Sequence, residues 1–594
     1  MSEQGFDPNE EENLGKAYDS RLMKRLLLYA KPYWRFFALA FVLLAGSTIT
    51  DLAGPYLMKI AIDDYMIGSP NPRAVIILGL IYIGAVLIGF LLNYFQLYLL
   101  NYTGQSILYN FRQEIFSHLQ RMSLSFFDKN PVGRLVTRVT NDTETLNDMY
   151  TNVLVTLIKD AFLILGVIFI MFSLNSILAL IVLAVIPLLV IITFIFRLQA
   201  RTVYRRVRTT LARINSVFSE NISGMRVIQI FHVERENFKK FQKINDDYFA
   251  AGMKEIIVFG IFRPAIEMLA FLVIAAVIWY GGGRVIDSTI QFGVLFAFIN
   301  YVYQFFNPIN DLAEKYNLLQ SAMASSERIF MILDTSPEDD LGELELKPES
   351  MKGNIEFRNV WFAYKENEWV LRDVSFNVPA GTSLAIVGAT GAGKASIINL
   401  LNRFYEIQKG EILIDGINIR DIKKESLRKY IGVVLQDVFL FSGTVKDNIV
   451  LNESSIPDSD IKMVSQYVNA DRFISNLPLG YNEEVKERGA TFSSGQRQLL
   501  AFARALAFKP SILVLDEATA NIDTETELLI QDALKRITSN RTTIIIAHRL
   551  STIQHADNIL VLHKGKIRET GTHQELLTQK GMYYNLYNLQ YKGL

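Results

Sequence analysis

Gly388, Ala389, Thr390, Gly391, Ala392, Gly393 and Lys394 run between two apolar stretches, Ser383-Leu-Ala-Ile-Val387 and Ile397-Ile-Asn-Leu-Leu401. Glycines let a backbone curl until successive N–H groups point at one anion. A helix that starts just after the curl adds its positive end. Lys394 supplies a mobile charge for the outer groups of a polyphosphate. The context reads as strand, phosphate-binding loop and helix, and the chemistry as nucleotide binding. One position departs from that pattern. A Ser or Thr after the lysine would lend its hydroxyl to Mg²⁺, but here Ala395 is followed by Ser396. A methyl group cannot ligate a metal. Water fills the place, or Ser396 compensates, or the loop is a weakened variant.

Acid–base groups lie further along. Ile512-Leu-Val-Leu515 runs into Asp516 and Glu517. A carboxylate at a strand end suits Mg²⁺, directly or through water, and its neighbour could orient and polarise an attacking water. Thr543-Ile-Ile-Ile-Ala-His548 repeats the design. A lone histidine is more often structural, but at a strand end of a nucleotide-binding fold it suits a terminal phosphate.

The elements that must hold these groups divide the chain. Residues from about 353 onward pattern as a soluble α/β protein, whereas residues from about 34 to 314 hold long apolar runs. A bilayer crossing takes about 20 apolar residues in helix. Six candidates fit: Trp34 to Leu57, Ala74 to Leu100, Val153 to Ser173, Ile177 to Phe196, Ile257 to Tyr280, and Phe292 to Pro308. The first lies too deep, and lacks the small-residue cleavage pattern, for a signal peptide. Basic residues set the expected orientation. Arg21, Lys24, Arg25 and Lys31 precede the first span, and Arg197, Arg201, Arg205, Arg206, Arg208 and Arg213 follow the fourth. The expectation is a multi-pass protein of the cytoplasmic (inner) membrane with both termini in the cytosol. Arg21 to Trp34 reads as an amphipathic elbow on the inner leaflet, or as a plain charged flank. The connections after the second and fourth spans are about 50 and 60 residues; structureless loops that long are unusual, so helical extensions are expected.

Polar groups inside the spans are Asp51, Lys159, Asp160, Arg263 and Glu267. Each should face a cavity or a partner. Arg263 and Glu267 share one helix face and could neutralise each other. Phe296, Phe298, Tyr301, Tyr303, Phe305 and Phe306 crowd the last span; they suit an apolar ligand, though packing or interface anchoring is the commoner use. Lys plus Arg and Asp plus Glu balance at 60 each, which gives no sign of a nucleic-acid partner, and with no cysteine there is no disulfide or thiolate site.

Phe492-Ser-Ser-Gly-Gln496 followed by Arg497-Gln-Leu-Leu-Ala-Phe-Ala-Arg504 resembles the signature of ATP-binding cassette (ABC) transporters. With six spans ahead of one cassette, nearly the whole chain resembles an ABC exporter half-transporter. The resemblance implies a membrane all-α six-helix transmembrane domain followed by a soluble α/β P-loop NTPase (ABC cassette). The expected division is 1–33 as the N-terminus with its elbow, 34–330 as the transmembrane domain, 331–352 as linker and 353–594 as cassette. Phe126 to Gly133 and Gly224 to Phe238 look like the family's two coupling loops.

The resemblance also implies roles. Tyr364, 24 residues before Gly388, matches the aromatic that stacks on adenine. Gln436 matches the glutamine that senses Mg²⁺ and the transmembrane helices. Glu517 matches the water-activating acid; beside it stand, on the chemistry above, His548 for the terminal phosphate and Asp516, with Ser396 as a substitute ligand, for Mg²⁺. Asp523 matches a loop that crosses to the partner cassette. Ser493, Ser494, Gly495 and Gln496 would face the partner's ATP. Here Ser494 replaces the first glycine of the signature while Glu517 is intact. That combination resembles one partner of a heterodimeric exporter, with a tolerant homodimer as the other possibility. The expected activity is ATP-driven, Mg²⁺-dependent export of a small hydrophobic or amphipathic substrate, drug or lipid. A catalytically impaired or regulatory subunit, or a homodimeric lipid or peptide exporter, is the alternative.

Overall fold

The computed structural model describes residues 19–68, 70–340, 342–346, 351–516, 524–539, 541–546 and 553–591. It divides into two units: residues 1–121 with 131–335, and residues 122–130 with 336–594.

The first unit is helical. Its principal helices are α1 (Ser20–Ala30), α2 (Trp34–Ile60), α3 (Pro72–Leu119), α4 (Leu154–Leu174), α5 (Ser176–Leu183), α6 (Ile186–Ser223), α7 (Glu234–Ile286) and α8 (Phe292–Asp334). Among the described residues, six helical stretches are long and apolar enough to cross a membrane. The helices continue well past the apolar spans: α3 runs 48 residues and α7 runs 53. Only the bilayer-facing part must be apolar, so the polar extensions stay helical without a hydropathy signal.

The fourth span is interrupted where its sequence reads as unbroken. A turn at Ala184 and Val185 separates α5 from α6. Pro187 sits in the first turn of α6, where its missing N–H costs nothing, but it cannot continue the ladder of α5. A second proline, Pro55, lies inside α2 and cannot donate back to the carbonyl of Asp51, four residues earlier. The last span compensates. Gln304 Nε2 donates to the Asp51 carbonyl at 3.1 Å, and the Tyr301 hydroxyl donates to the Leu52 carbonyl at 2.8 Å. Near the end of α2, the buried Asp63 carboxylate accepts from the Gly293 N–H at 2.6 Å, with Lys59 at 3.8 Å. It therefore caps α8, whose Gln291 makes no side-chain cap.

The charges inside the spans find partners. Lys159 lies 4.0 Å from Asp51, Lys315 lies 2.5 Å from Asp160, and Arg263 lies 3.5 Å from Glu267. Of the aromatics in the last span, Phe298, Tyr301, Phe305 and Phe306 are buried in the helical core, and Tyr303 is exposed. Packing is their main use. α1 is capped by Asp19 and buries Met23 and Leu26. Arg25 reaches the end of α8, bonding Asp334 through both terminal nitrogens and lying 4.0 Å over the Phe330 ring.

The second unit is the α/β cassette. A four-stranded antiparallel sheet runs in the order β2 (Trp369–Val378), β1 (Ile355–Ala363), β4 (Lys409–Ile414), β5 (Ile417–Asn418). A short ladder joins β7 (Gly443–Thr444) to β8 (Glu484–Val485). The central sheet has the order β12 (Lys566–Gly571), β11 (Asn558–His563), β3 (Ser383–Val387), β10 (Thr542–Ile546), β9 (Ile512–Asp516), β6 (Ile431–Val434). All of its pairs are parallel except β11 with β12. Parallel strands covered on both faces read as continuous apolar runs, and β3 and β10 are buried at every position. Part of the stretch expected as linker is ordered. Glu338 bonds Lys424 and Arg428, and Leu346 packs into the cassette core.

Candidate active site

Register brings the chemistry to one edge. Ile546 of β10 pairs with Ile386 of β3 on one side and with Asp516 of β9 on the other. The three strands therefore end level, and the phosphate loop leaves β3 at the same edge as Asp516, with β10 between them. This is the edge where open parallel sheets bind ligands.

The loop is built by its glycines. Gly393 has φ of 105°, a region that L side chains rarely adopt. A side chain at Gly388 would place its Cβ 2.2 Å from the Leu562 carbonyl oxygen. Helix α9 (Lys394–Leu401) begins directly after Gly393. The Lys394 ammonium donates to the Gly388 carbonyl at 2.7 Å and to the Ala389 carbonyl at 3.3 Å. Burial pushes this lysine below the ordinary ammonium range, and the charge of Asp516 opposes the shift. Ala389, Thr390 and Gly391 are exposed, while Ala392, Gly393 and Lys394 are buried beneath them. A curled backbone at a helix N-terminus with one central ammonium fits the phosphates of a nucleotide.

The two residues after the lysine point differently. Ala395 is exposed at the site, whereas Ser396 is 4% exposed. The Ser396 hydroxyl lies 3.1 Å from the Tyr364 hydroxyl, which also accepts from Asn399 Nδ2 at 3.2 Å. Tyr364 is half-exposed, and its ring stands edge-on to Phe362 and Tyr405 at 4.7 and 5.0 Å. The family's adenine position thus carries an anchored aromatic with an open face.

Gln436 is exposed just beyond the end of β6. Ser493 caps helix α10 (Ser494–Ala507): its hydroxyl accepts from the Gln496 N–H at 3.2 Å, and Gln496 Oε1 accepts from the Ser493 N–H at 3.0 Å. This reciprocal box fixes the start of α10 and leaves the first-turn N–H groups of Ser494 and Gly495 at a helix N-terminus. Ser494 is half-buried and Gly495 is buried. Glu517, Asp523 and His548 lie outside the described residues; β9 and β10 lead directly to Glu517 and towards His548.

Three residues at the site carry no role in the sequence reading. Asn399 and Tyr405 hold Tyr364 from α9 and from the segment behind it. The Tyr405 hydroxyl in turn donates to the Asp128 carboxylate, in the segment 122–130 that groups with this unit. Arg504 bonds the carbonyls of Phe439 and Asn448, and so ties α10 to the stretch that follows Gln436. An aromatic 11 residues beyond the loop lysine was the only available hint for Tyr405.

Comparison with known proteins agrees with this geometry. Residues 37–309 match the family described as the ABC transporter transmembrane region, and residues 371–520 match the family described as ABC transporter. The chain is 40% identical to the ABC transporter ATP-binding protein YknV of Bacillus subtilis, over 99% of this chain and 97% of that protein. It is 40% identical to the probable multidrug resistance ABC transporter ATP-binding/permease protein YheH of Bacillus subtilis, over 88% and 78%. It is 37% identical to the ATP-dependent lipid A-core flippase of Syntrophus aciditrophicus, over 96% and 95%. A six-span helical region followed by an ATPase cassette, with relatives matched across both regions, makes this chain a member of the ABC exporter family.

Proposed function

We propose that the chain is one half of a dimeric exporter that moves a hydrophobic or amphipathic molecule, drug or lipid, out of the cytosol or inner leaflet by alternating access. The relatives' names support this substrate class. The observation that carries the catalytic part is the level ending of β3, β10 and β9, which brings the phosphate loop and Asp516 to the same edge of the sheet. Lys394 exchanges its two loop carbonyls for the phosphates. Tyr364 offers its open face to the base. Asp516 would hold Mg²⁺ directly or through water, and Glu517 would orient and deprotonate the attacking water. When bound, Mg²⁺ neutralises charge on the phosphates and fixes their geometry. Gln436 reports this state towards the membrane helices. ATP biases the pair of cassettes towards the closed arrangement, and hydrolysis releases it. Both termini lie in the cytosol, and the chain sits in the cytoplasmic membrane.

The partner we favour is a different half-transporter. Ser494 adds a side chain at the N-terminus of α10, where a partner's γ-phosphate must approach closely, while this chain retains Glu517. A complementary chain would carry an intact Ser-Gly-Gly signature and lack the glutamate. A weakened ATPase is the second reading, favoured by the exposed methyl of Ala395. The test is Mg-ATPase and transport of the chain alone against the chain co-expressed with a complementary half-transporter. A large gain on co-expression supports the heterodimer. Full activity alone overturns it. No activity in either preparation supports the impaired subunit.

A further inference from the structure

A cavity of about 280 Å³ lies among α2, α3 and α8, beside the Pro55 interruption. Its polar lining comes from Thr50, Asp51, Asn300 and Gln304, and its aromatic walls include Phe90 and Phe296. The hydrogen bonds already made there decide what it can take. Gln304 spends Nε2 on the Asp51 carbonyl, and its buried Oε1 has no partner among the described residues. Asn300 spends Nδ2 on the Phe296 carbonyl at 2.9 Å. The Thr50 hydroxyl donates to the Ser47 carbonyl at 2.7 Å. The Thr50 hydroxyl is spent and each amide has used one of its two N–H groups, while the buried Gln304 Oε1 and the Asn300 Oδ1 stay available as acceptors, with Tyr82 in the wall able to act either way. The Asp51 carboxylate adds a negative charge; Lys159 approaches it at 4.0 Å but forms no part of the cavity wall.

We propose that this cavity is a binding site for an organic cation: a positively charged group with N–H donors on an aromatic or apolar body. The donors would meet Gln304 Oε1 and Asn300 Oδ1, the charge would meet Asp51, and the body would lie against Phe90 and Phe296, where aromatic faces also favour a cation. In a bilayer core a buried acceptor without a partner is costly, so a ligand that supplies donors gains more there than in water. Lys159 competes for Asp51 and keeps the empty site electrically balanced. The inference rests on the exporter reading and narrows its substrate class.

Ethidium, a planar aromatic cation with two amino groups, is a suitable probe. Fluorescence polarisation with the purified, assembled transporter should show saturable binding. Asp51→Asn should raise the ethidium Kd about tenfold or more, as expected for losing a charged hydrogen-bond partner. Asp51→Glu should retain binding. Lys159→Met should tighten it, which a purely structural ion pair would not do. Thermal unfolding checks each variant's fold; if Asp51→Asn does not fold, Lys159→Met and Asp51→Glu carry the test. The cation site is overturned if the wild type binds no ethidium saturably, if folded Asp51→Asn binds as the wild type does, or if Lys159→Met weakens binding. ATP-driven transport by the same preparation separates the two readings. Phospholipid transport without ethidium binding overturns the cation site alone. Ethidium binding without ATP-driven transport of ethidium or phospholipid supports the site and overturns the exporter reading.

Discussion

The Tyr364 hydroxyl lies 3.1 Å from the Ser396 hydroxyl, so the aromatic offered to the base and the first turn of α9 are tied to each other. The Ser396 hydroxyl is engaged with Tyr364 and buried, while Ala395, at the position where the motif would carry a metal-binding hydroxyl, is exposed. This favours water over Ser396 as the filler of the missing ligand place. Ala395→Thr is expected to raise Mg-ATPase in the assembled transporter and to lower the Mg²⁺ concentration for half-maximal activity, because Mg²⁺ holds octahedral geometry strictly. ATP affinity without Mg²⁺ should not change. A Mg²⁺ titration of wild type and variant checks this, with Lys394→Ala as the inactive reference. Flat activity in Ala395→Thr would mean that the shell is already complete.

The same pair separates two uses of Tyr364. Tyr364→Ala removes the ring and should weaken nucleotide binding by roughly 1–3 kcal/mol, the range for stacking on a base. Tyr364→Phe keeps the ring but loses the bonds with Ser396 and Asn399. It should retain most of the affinity and lose part of the ring's fixed orientation. Titration with a fluorescent nucleotide compares the three proteins. Equal weakening by Ala and Phe would show that the hydroxyl, not the ring, carries the effect.

The loop, its flanking strand and its helix were legible in the sequence because that chemistry is local: Ser383 to Leu401 is one continuous strand, turn and helix. The six spans were legible for a similar reason, since hydropathy is a property of a single segment. What was not legible depends on distant partners. Nothing in the sequence says that Tyr301 and Gln304 would answer the carbonyls around Pro55, some 250 residues earlier, or that Asp63 would cap α8. The break before Pro187 was local and went unread, because an apolar run gives no hydropathy signal when its helical hydrogen bonds stop.

Glu517→Gln should preserve ATP binding and stall hydrolysis. Glu517 directly follows Asp516 in the sequence, and general-base contributions run about 10²–10⁴-fold. Glutamine keeps the shape and loses the base. Single-turnover ATP hydrolysis in the assembled transporter, alongside nucleotide retention after rapid gel filtration, tests it. Turnover equal to wild type would remove Glu517 from the mechanism.

The staple between α2 and α8 predicts a compensating pair of substitutions. Gln304→Leu leaves the Asp51 carbonyl without its donor inside the bilayer, because Pro55 has no N–H to offer. Hydrogen bonds between membrane helices are worth about 0.6–2 kcal/mol, so the thermal midpoint should fall by a few degrees. Pro55→Ala restores an N–H for the same carbonyl and makes Gln304 dispensable. In the Pro55→Ala background, Gln304→Leu should therefore cost much less than in the wild type. Thermal unfolding of the four proteins closes the cycle, and the coupling energy isolates the shared carbonyl from other effects of either change. Additive losses would show that Gln304 stabilises the protein through some contact other than the carbonyl freed by Pro55.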